Sequence, residues 1–286
     1  MLNMLKTGLL LTGLTLILVW VGNLLGGQTG IIIALVFAAI MNLGSYWFSD
    51  RLVIAMTGAQ PLLEQEAPQL YQMLREMTHR ANMPMPRLYL IPEMQPNAFA
   101  TGRDPQRGVV AVTQGLLQMM NYDEVKGVIA HELAHIKNRD TLIMAVAATI
   151  AGAISALAHM FYYATIFFGS RDERGGNPLA ALALVIVAPI AAMIVQMAIS
   201  RAREYEADKV GAEIAGTPVG LASALRKLEA AAQRIPNEHA QPATAHMYIV
   251  NPLSGGGLMA LFSTTHPPVA ERVRRLEAMA RGVRIA

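Results

Sequence analysis

The chain has 286 residues, 53% of them hydrophobic and only 15% charged, against the quarter or so that a soluble domain carries, so the balance points to a membrane protein. It contains no cysteine, which excludes disulfides, iron–sulfur clusters and thiolate metal sites and leaves His, Asp and Glu as the metal ligands available. The net charge of +3 comes from basic residues scattered among acids, with no basic stripe interleaved with aromatics. Nucleic-acid binding is therefore set aside, and the charge is read as membrane topology.

A transmembrane helix needs roughly 20 mainly apolar residues. Four segments qualify: Leu5–Leu25, Gly30–Phe48, Thr141–Phe168 and Pro178–Ser200. The first two are joined by Gly-Gly-Gln-Thr at 26–29 and read as a helical hairpin. A second span follows the first almost at once, so the N-terminus reads as an anchor rather than a signal peptide. The last two spans are joined by the polar loop 169–177. The third run is longer than the hydrocarbon core requires, and its first turns are free to protrude from the lipid. Lys and Arg concentrate in 49–140 and from 201 onward, which places both polar segments on the cytoplasmic side. The domains expected are a hairpin over 1–50, a first catalytic half over 51–140, a second hairpin over 141–200 and a second catalytic half over 201–286.

Within the polar segments, Leu70, Met73, Leu74 and Met77 predict a helix over 62–82. Strands follow at 86–91, 97–101 and 108–112, the last two flanking a turn-rich connection as a hairpin. Asn121 with Glu124 forms a capping-box pattern ahead of the next helix. Thr217-Pro218 opens another helix, and so does the run after His266-Pro-Pro. The Pro- and Gly-rich residues 236–265 read as loop.

The most informative stretch is "VIAHELAHIKNRD", residues 128–140. Positions four apart on a helix are rotated by about 400°, so His131 and His135 share a face and can aim at one point. Glu132 is one residue further round. This H-E-x-x-H pattern supplies two zinc ligands and a general base. A catalytic zinc wants a third protein ligand, and Asn138 and Thr141 stand where an extended pattern would place a Gly and a third His. A carboxylate further along is expected instead. In "SRAREYEAD", residues 200–208, Glu204 and Asp208 share a helical face, while Glu206 points elsewhere. One of that pair can bind zinc and the other can fix the ring of a ligand histidine.

With "NAFATG" (97–102), "HELAHIKNRD" (131–140), "SRAREYEAD" (200–208) and "STTHPP" (263–268) in this order around four spans, the chain resembles the HtpX family of membrane zinc metallopeptidases, in the wider group that contains the CAAX prenyl proteases. The resemblance implies a mainly α membrane protein: four transmembrane helices plus a cytoplasmic α+β gluzincin-type catalytic domain with a small antiparallel sheet. It implies one zinc ion held by His131, His135 and Glu204, with Glu132 as base and Asp208 supporting a ligand histidine. It further implies that His266 and Arg272 stabilise the oxyanion. Asn97, Ala98, Phe99 and Ala100 then form an edge strand to which substrate backbone adds. The role implied is cleavage of damaged or misfolded membrane proteins in the bacterial inner membrane under stress.

Three rival readings are weighed against this one. An intramembrane site-2 protease places its H-E-x-x-H helix in lipid, yet Asp123, Glu124, Lys126, Lys137, Arg139 and Asp140 surround the motif here. A CAAX protease has a larger chamber than four spans build. A membrane scaffold without activity predicts no tight zinc.

Overall fold

The computed structural model describes residues 2–150, 201–235, 247–250 and 267–283. The fourth expected span, most of the third and of the 236–265 loop, and His266 lie outside the described residues.

Helix α1 runs over Leu2–Thr57. It is folded back on itself, because Gly27 has a left-handed φ of 55° and the Asn42 amide donates to Thr15 Oγ1 at 3.0 Å. A straight helix would hold those two residues about 40 Å apart. The expected hairpin is therefore present, its reversal falling within 26–29. In the second arm, Gly27–Gly44 is long and apolar enough to cross a membrane, with a mean hydropathy of 1.7. Trp20, Ile33, Ile40 and Leu43 point outward. The helix continues to Thr57, beyond the expected boundary, and ends in a turn in which Ala59 N–H donates to Ile54 and Gly58 takes φ 64°.

The polar domain follows directly: β1 (Gln60–Pro61), α2 (Pro68–Ala81), β2 (Arg87–Ile91), β3 (Ala98–Thr101), β4 (Val109–Thr113), α3 (Gln114–Met119) and α4 (Tyr122–Lys137). Helix α2 starts six residues later than its periodicity suggests, because Pro68 fits only a first helical turn and Pro61 is taken into β1. After α4 come a helical stretch Thr141–Ile150, here α5, and then α6 (Arg201–Ala215), α7 (Val219–Ala232) and α8 (Val269–Ala280).

The sheet corrects one expectation. Its order is β1-β2-β4-β3, and β2 pairs with β4 in parallel while β3–β4 and β1–β2 are antiparallel. It is a small mixed sheet rather than an antiparallel one. The hairpin β3–β4 forms as its turn predicts, but it folds so that β4 lands between β2 and β3. The unbroken apolar run of β4 suits that central place, where all five residues are buried.

Alternate residues of the sheet enter two cores. Ala98, Ala100, Val110 and Val112 pack with α2, α4, α6 and α7, whereas Phe99, Ala111 and Ile91 face α5 and the end of α1. The first ten residues of the third apolar run are thus buried by protein. Arg103 stacks on Trp47 at 4.0 Å and Arg87 pairs with Asp50 at 2.9 Å, which seats the sheet against the base of the hairpin.

Candidate metal centre

Helix α4 is fixed at both ends. Glu124 N–H donates to Asn121 Oδ1 and Asn121 N–H to Glu124 Oε2, so the capping box is complete. Lys227 and Ser223 on α7 also bond Glu124, and although partial burial works against its charge, these donors hold its carboxyl below the usual range. At the other end Arg139 adopts φ 59°, Arg139 N–H donates to Ile136, and Asp140 N–H donates to His135. That is a Schellman turn without a glycine.

Helix α6 crosses α4 at a glycine. A Cβ on Gly211 would lie 2.9 Å from the His131 Cα, and one on Gly127 of α4 would lie 2.4 Å from Leu221 N on α7. These close approaches press α6 and α7 onto α4 and carry Glu204, one turn and more upstream of Gly211, into reach of both histidines.

The result is a buried trio. His131 Nε2 and His135 Nε2 are 3.2 Å apart, and each lies 3.5 Å from an oxygen of Glu204. No other metal-holding group of this kind occurs among the described residues. Tetrahedral zinc with ligand bonds of 2.0–2.1 Å separates its ligand atoms by roughly 3.3–3.5 Å. Two imidazole nitrogens and the Glu204 carboxylate, whose Oε2 faces His131 and whose Oε1 faces His135, make a donor set that fits zinc.

Carboxylates stand behind both rings. His131 Nδ1 lies 3.0 Å from Asp208 Oδ1, and His135 Nδ1 lies 3.0 Å from Asp140 Oδ2. Arg272, fully buried, donates from Nε and Nη2 to the two oxygens of Asp208 at 2.9 and 2.7 Å, and from Nη1 to the carbonyl of Ile249 at 3.0 Å. Burial opposes the Asp208 charge, but Arg272 and His131 outweigh it and hold the carboxyl below its ordinary value. Burial and Arg272 likewise oppose a charged His131, yet Asp208 and Glu204 raise its pKa to about 9.

The family model for peptidase family M48 matches residues 64–280. The chain belongs to peptidase family M48. Its relatives include a protease HtpX homolog of Syntrophobacter fumaroxidans, 53% identical over 96% of this chain and 98% of that one. Another, from Syntrophotalea carbinolica, is 56% identical over 97% and 99%. A crystal structure of Ste24p from S. mikatae matches with a TM-score of 0.49 at 18% identity, covering 96% of this chain and 65% of that one. As an M48 protease of the HtpX kind, the protein is a membrane zinc metalloprotease.

The remaining residues singled out in the sequence fall as follows in this M48 domain. Glu132 is buried, and burial lifts its carboxyl above the ordinary value, with His131 and His135 opposing. Glu206 is exposed, away from the trio. Arg272 donates to both oxygens of Asp208 and to the Ile249 carbonyl, and its Nη1 lies 3.5 Å from Glu204 Oε2, so it braces the ligand His131 from behind and also faces the third ligand. Strand β3 is at the sheet edge, but the Ala98 carbonyl already accepts from Ile249 N–H, and the Asn97 amide donates to the Val250 carbonyl at 2.7 Å. Phe99 turns to the far face and meets Tyr248 edge-on at 5.5 Å. A substrate strand adding at Ala98 therefore has to displace residues 249–250. Sequence reasoning passed over Gly127 and Gly211, whose only signal is a small residue inside a helix.

Proposed function

We propose that the protein cleaves damaged or misfolded membrane proteins where they emerge at the cytoplasmic face of the bacterial inner membrane, as part of a stress response. The observation that carries this reading is the buried His131–His135–Glu204 trio, whose His135 lies six residues before Thr141, the start of the apolar helix α5. Zinc bound there would lower the pKa of a water toward about 7 and would polarise the scissile carbonyl. His131, His135 and Glu204 are the ligands, and Asp208, braced by Arg272, fixes the tautomer of His131. Glu132, whose burial raises its basicity, accepts the proton of the attacking water and returns it to the leaving amine. His266 completes the site by steadying the oxyanion, and Asn97 to Ala100 guide the substrate backbone once the Ile249 contact has opened.

The excess of Lys and Arg in 49–140 and beyond 201 supports a catalytic domain on the cytoplasmic side, its two halves joined through the third and fourth of four spans. Lipid bilayer and membrane-protein substrates are then its partners. The test is zinc content of purified wild type and Glu204→Ala, with hydrolysis of an unfolded membrane protein by wild type and Glu132→Gln. Zinc is expected in wild type and Glu132→Gln and lost from Glu204→Ala, with hydrolysis falling by about 10²–10⁴ in Glu132→Gln. Equal zinc in wild type and Glu204→Ala would remove the third ligand.

A further inference from the structure

We propose that Asp140 is the positioning residue of His135 and that it ties this ligand to the first turn of helix α5. The proposal rests on the zinc-ligand reading above and extends it to a residue outside that set.

Asp140 and His135 are both buried, and Asp140 Oδ2 lies 3.0 Å from His135 Nδ1. An ionised carboxylate only accepts hydrogen bonds, so this contact holds the ring proton on Nδ1. Nε2 is left with a free lone pair, and it is Nε2 that faces His131 and Glu204. The contact repeats on the other ring, where Asp208 meets His131 Nδ1 at 3.0 Å. Each imidazole is therefore held from behind by its own acid. Asp208 comes from α6, a distant part of the chain, and Asp140 from the turn that ends α4.

The turn explains the placement. Asp140 N–H donates to the His135 carbonyl at 2.9 Å, so one residue grips both the backbone and the ring of the ligand. The same residue starts α5, where Met144 N–H donates to the Asp140 carbonyl at 3.3 Å, and Thr141 Oγ1 anchors that start to the Gly102 carbonyl at 2.6 Å. A shift of α5 against the sheet is thereby transmitted to the His135 ring through the Asp140 side chain.

The experiment uses the full chain in detergent micelles. It compares wild type with Asp140→Asn, Asp140→Glu, Arg139→Gly and Glu204→Ala. The readouts are zinc affinity by competition with a chromophoric chelator, the visible spectrum of the cobalt(II)-loaded protein, and thermal melting. An Asn amide can offer an N–H to Nδ1 and favour the tautomer with its proton on Nε2. Asp140→Asn is expected to melt near wild type, to bind zinc about 10–100-fold more weakly and to shift the cobalt bands. Arg139→Gly, in the same turn but away from the ring, is expected to change neither. If Asp140→Asn fails to fold, Asp140→Glu decides, because its longer side chain moves the carboxylate off Nδ1. Shifted cobalt bands in that variant support the proposal and unchanged bands overturn it. Wild-type affinity and spectrum in a folded Asp140→Asn, with binding lost in Glu204→Ala, overturn the proposal and leave the ligand set standing. A wild type that takes up no zinc overturns the ligand set itself, and the proposal with it.

Discussion

Gly211 and His131 meet backbone to backbone, with room for no side chain between them: a Cβ on Gly211 would lie 2.9 Å from the His131 Cα and 3.0 Å from its nitrogen. Both neighbours are main-chain atoms in the middle of a helix, so they cannot step aside. Gly211→Ala is expected to push α6 away from α4, costing about 1–3 kcal/mol of stability. Because Glu204 rides on α6, the same variant is expected to lose zinc affinity. Melting temperature and zinc content measure the two effects, and a variant that melts and loads zinc like wild type would refute the close approach.

Arg272 and Asp208 form a buried bidentate pair, so removing one charge takes away the other's main partner. Arg272→Ala is expected to destabilise by about 3–5 kcal/mol. Asp208 keeps His131 at 3.0 Å, and the double variant Asp208→Ala/Arg272→Ala is expected to lose less than the sum of the two single losses. Chemical denaturation of the four proteins in the cycle gives the coupling. Additive losses would mean that the pair contributes nothing as a pair.

How much of this was readable in the sequence depends on how local the signal is. The ligand spacing in HELAH, the capping box at Asn121 and the chain reversal at Gly26-Gly27 are short-range patterns, and each appears where its residues put it. The parallel pairing of β2 with β4 is a relation between distant segments that no turn residue announces. The Schellman turn was hidden because its left-handed residue is Arg139, where sequence reasoning looks for glycine. Asp140 therefore read as one more surface charge. The run 141–150 has the composition of a membrane helix and is buried against the sheet; the excess length of the third apolar run leaves its first turns free to do so, but periodicity alone does not name the partner they take.

The pKa of about 9 at His131 has two consequences of opposite sign. In the metal-free protein the folded state binds a proton more tightly than the unfolded one, whose histidine has an ordinary pKa of 6.5. The stabilisation is complete below pH 6.5 and is lost as pH rises through about 9. Zinc needs the neutral ring, so its apparent affinity rises over the same interval, up to about tenfold per pH unit. Calorimetric titration with zinc at pH 7 in buffers of different ionisation enthalpy is expected to report release of at least one proton. An affinity independent of pH from 6 to 9 would contradict a protonated His131 in the metal-free site.

The hairpin of α1 is testable without any metal. Thr15 and Asn42 touch across it, and the chain has no native cysteine, so a pair introduced at these two positions reports on them alone. The double variant Thr15→Cys/Asn42→Cys is expected to form an intramolecular disulfide under mild oxidation, detectable by mass spectrometry after cleavage between the two arms. A straight α1 would hold the sulfurs far beyond the Cα separation of about 4.4–6.8 Å that a disulfide spans. The single change Asn42→Val removes an interhelical hydrogen bond, which in a membrane setting is worth about 0.6–2 kcal/mol. It also removes the buried Asn42 Oδ1, which has no hydrogen-bond partner among the described residues. The net loss of stability is therefore expected at the low end of that range, or below it. Unfolding in a detergent series measures it, and a loss well above that range would mean that Asn42 does more than join the two arms.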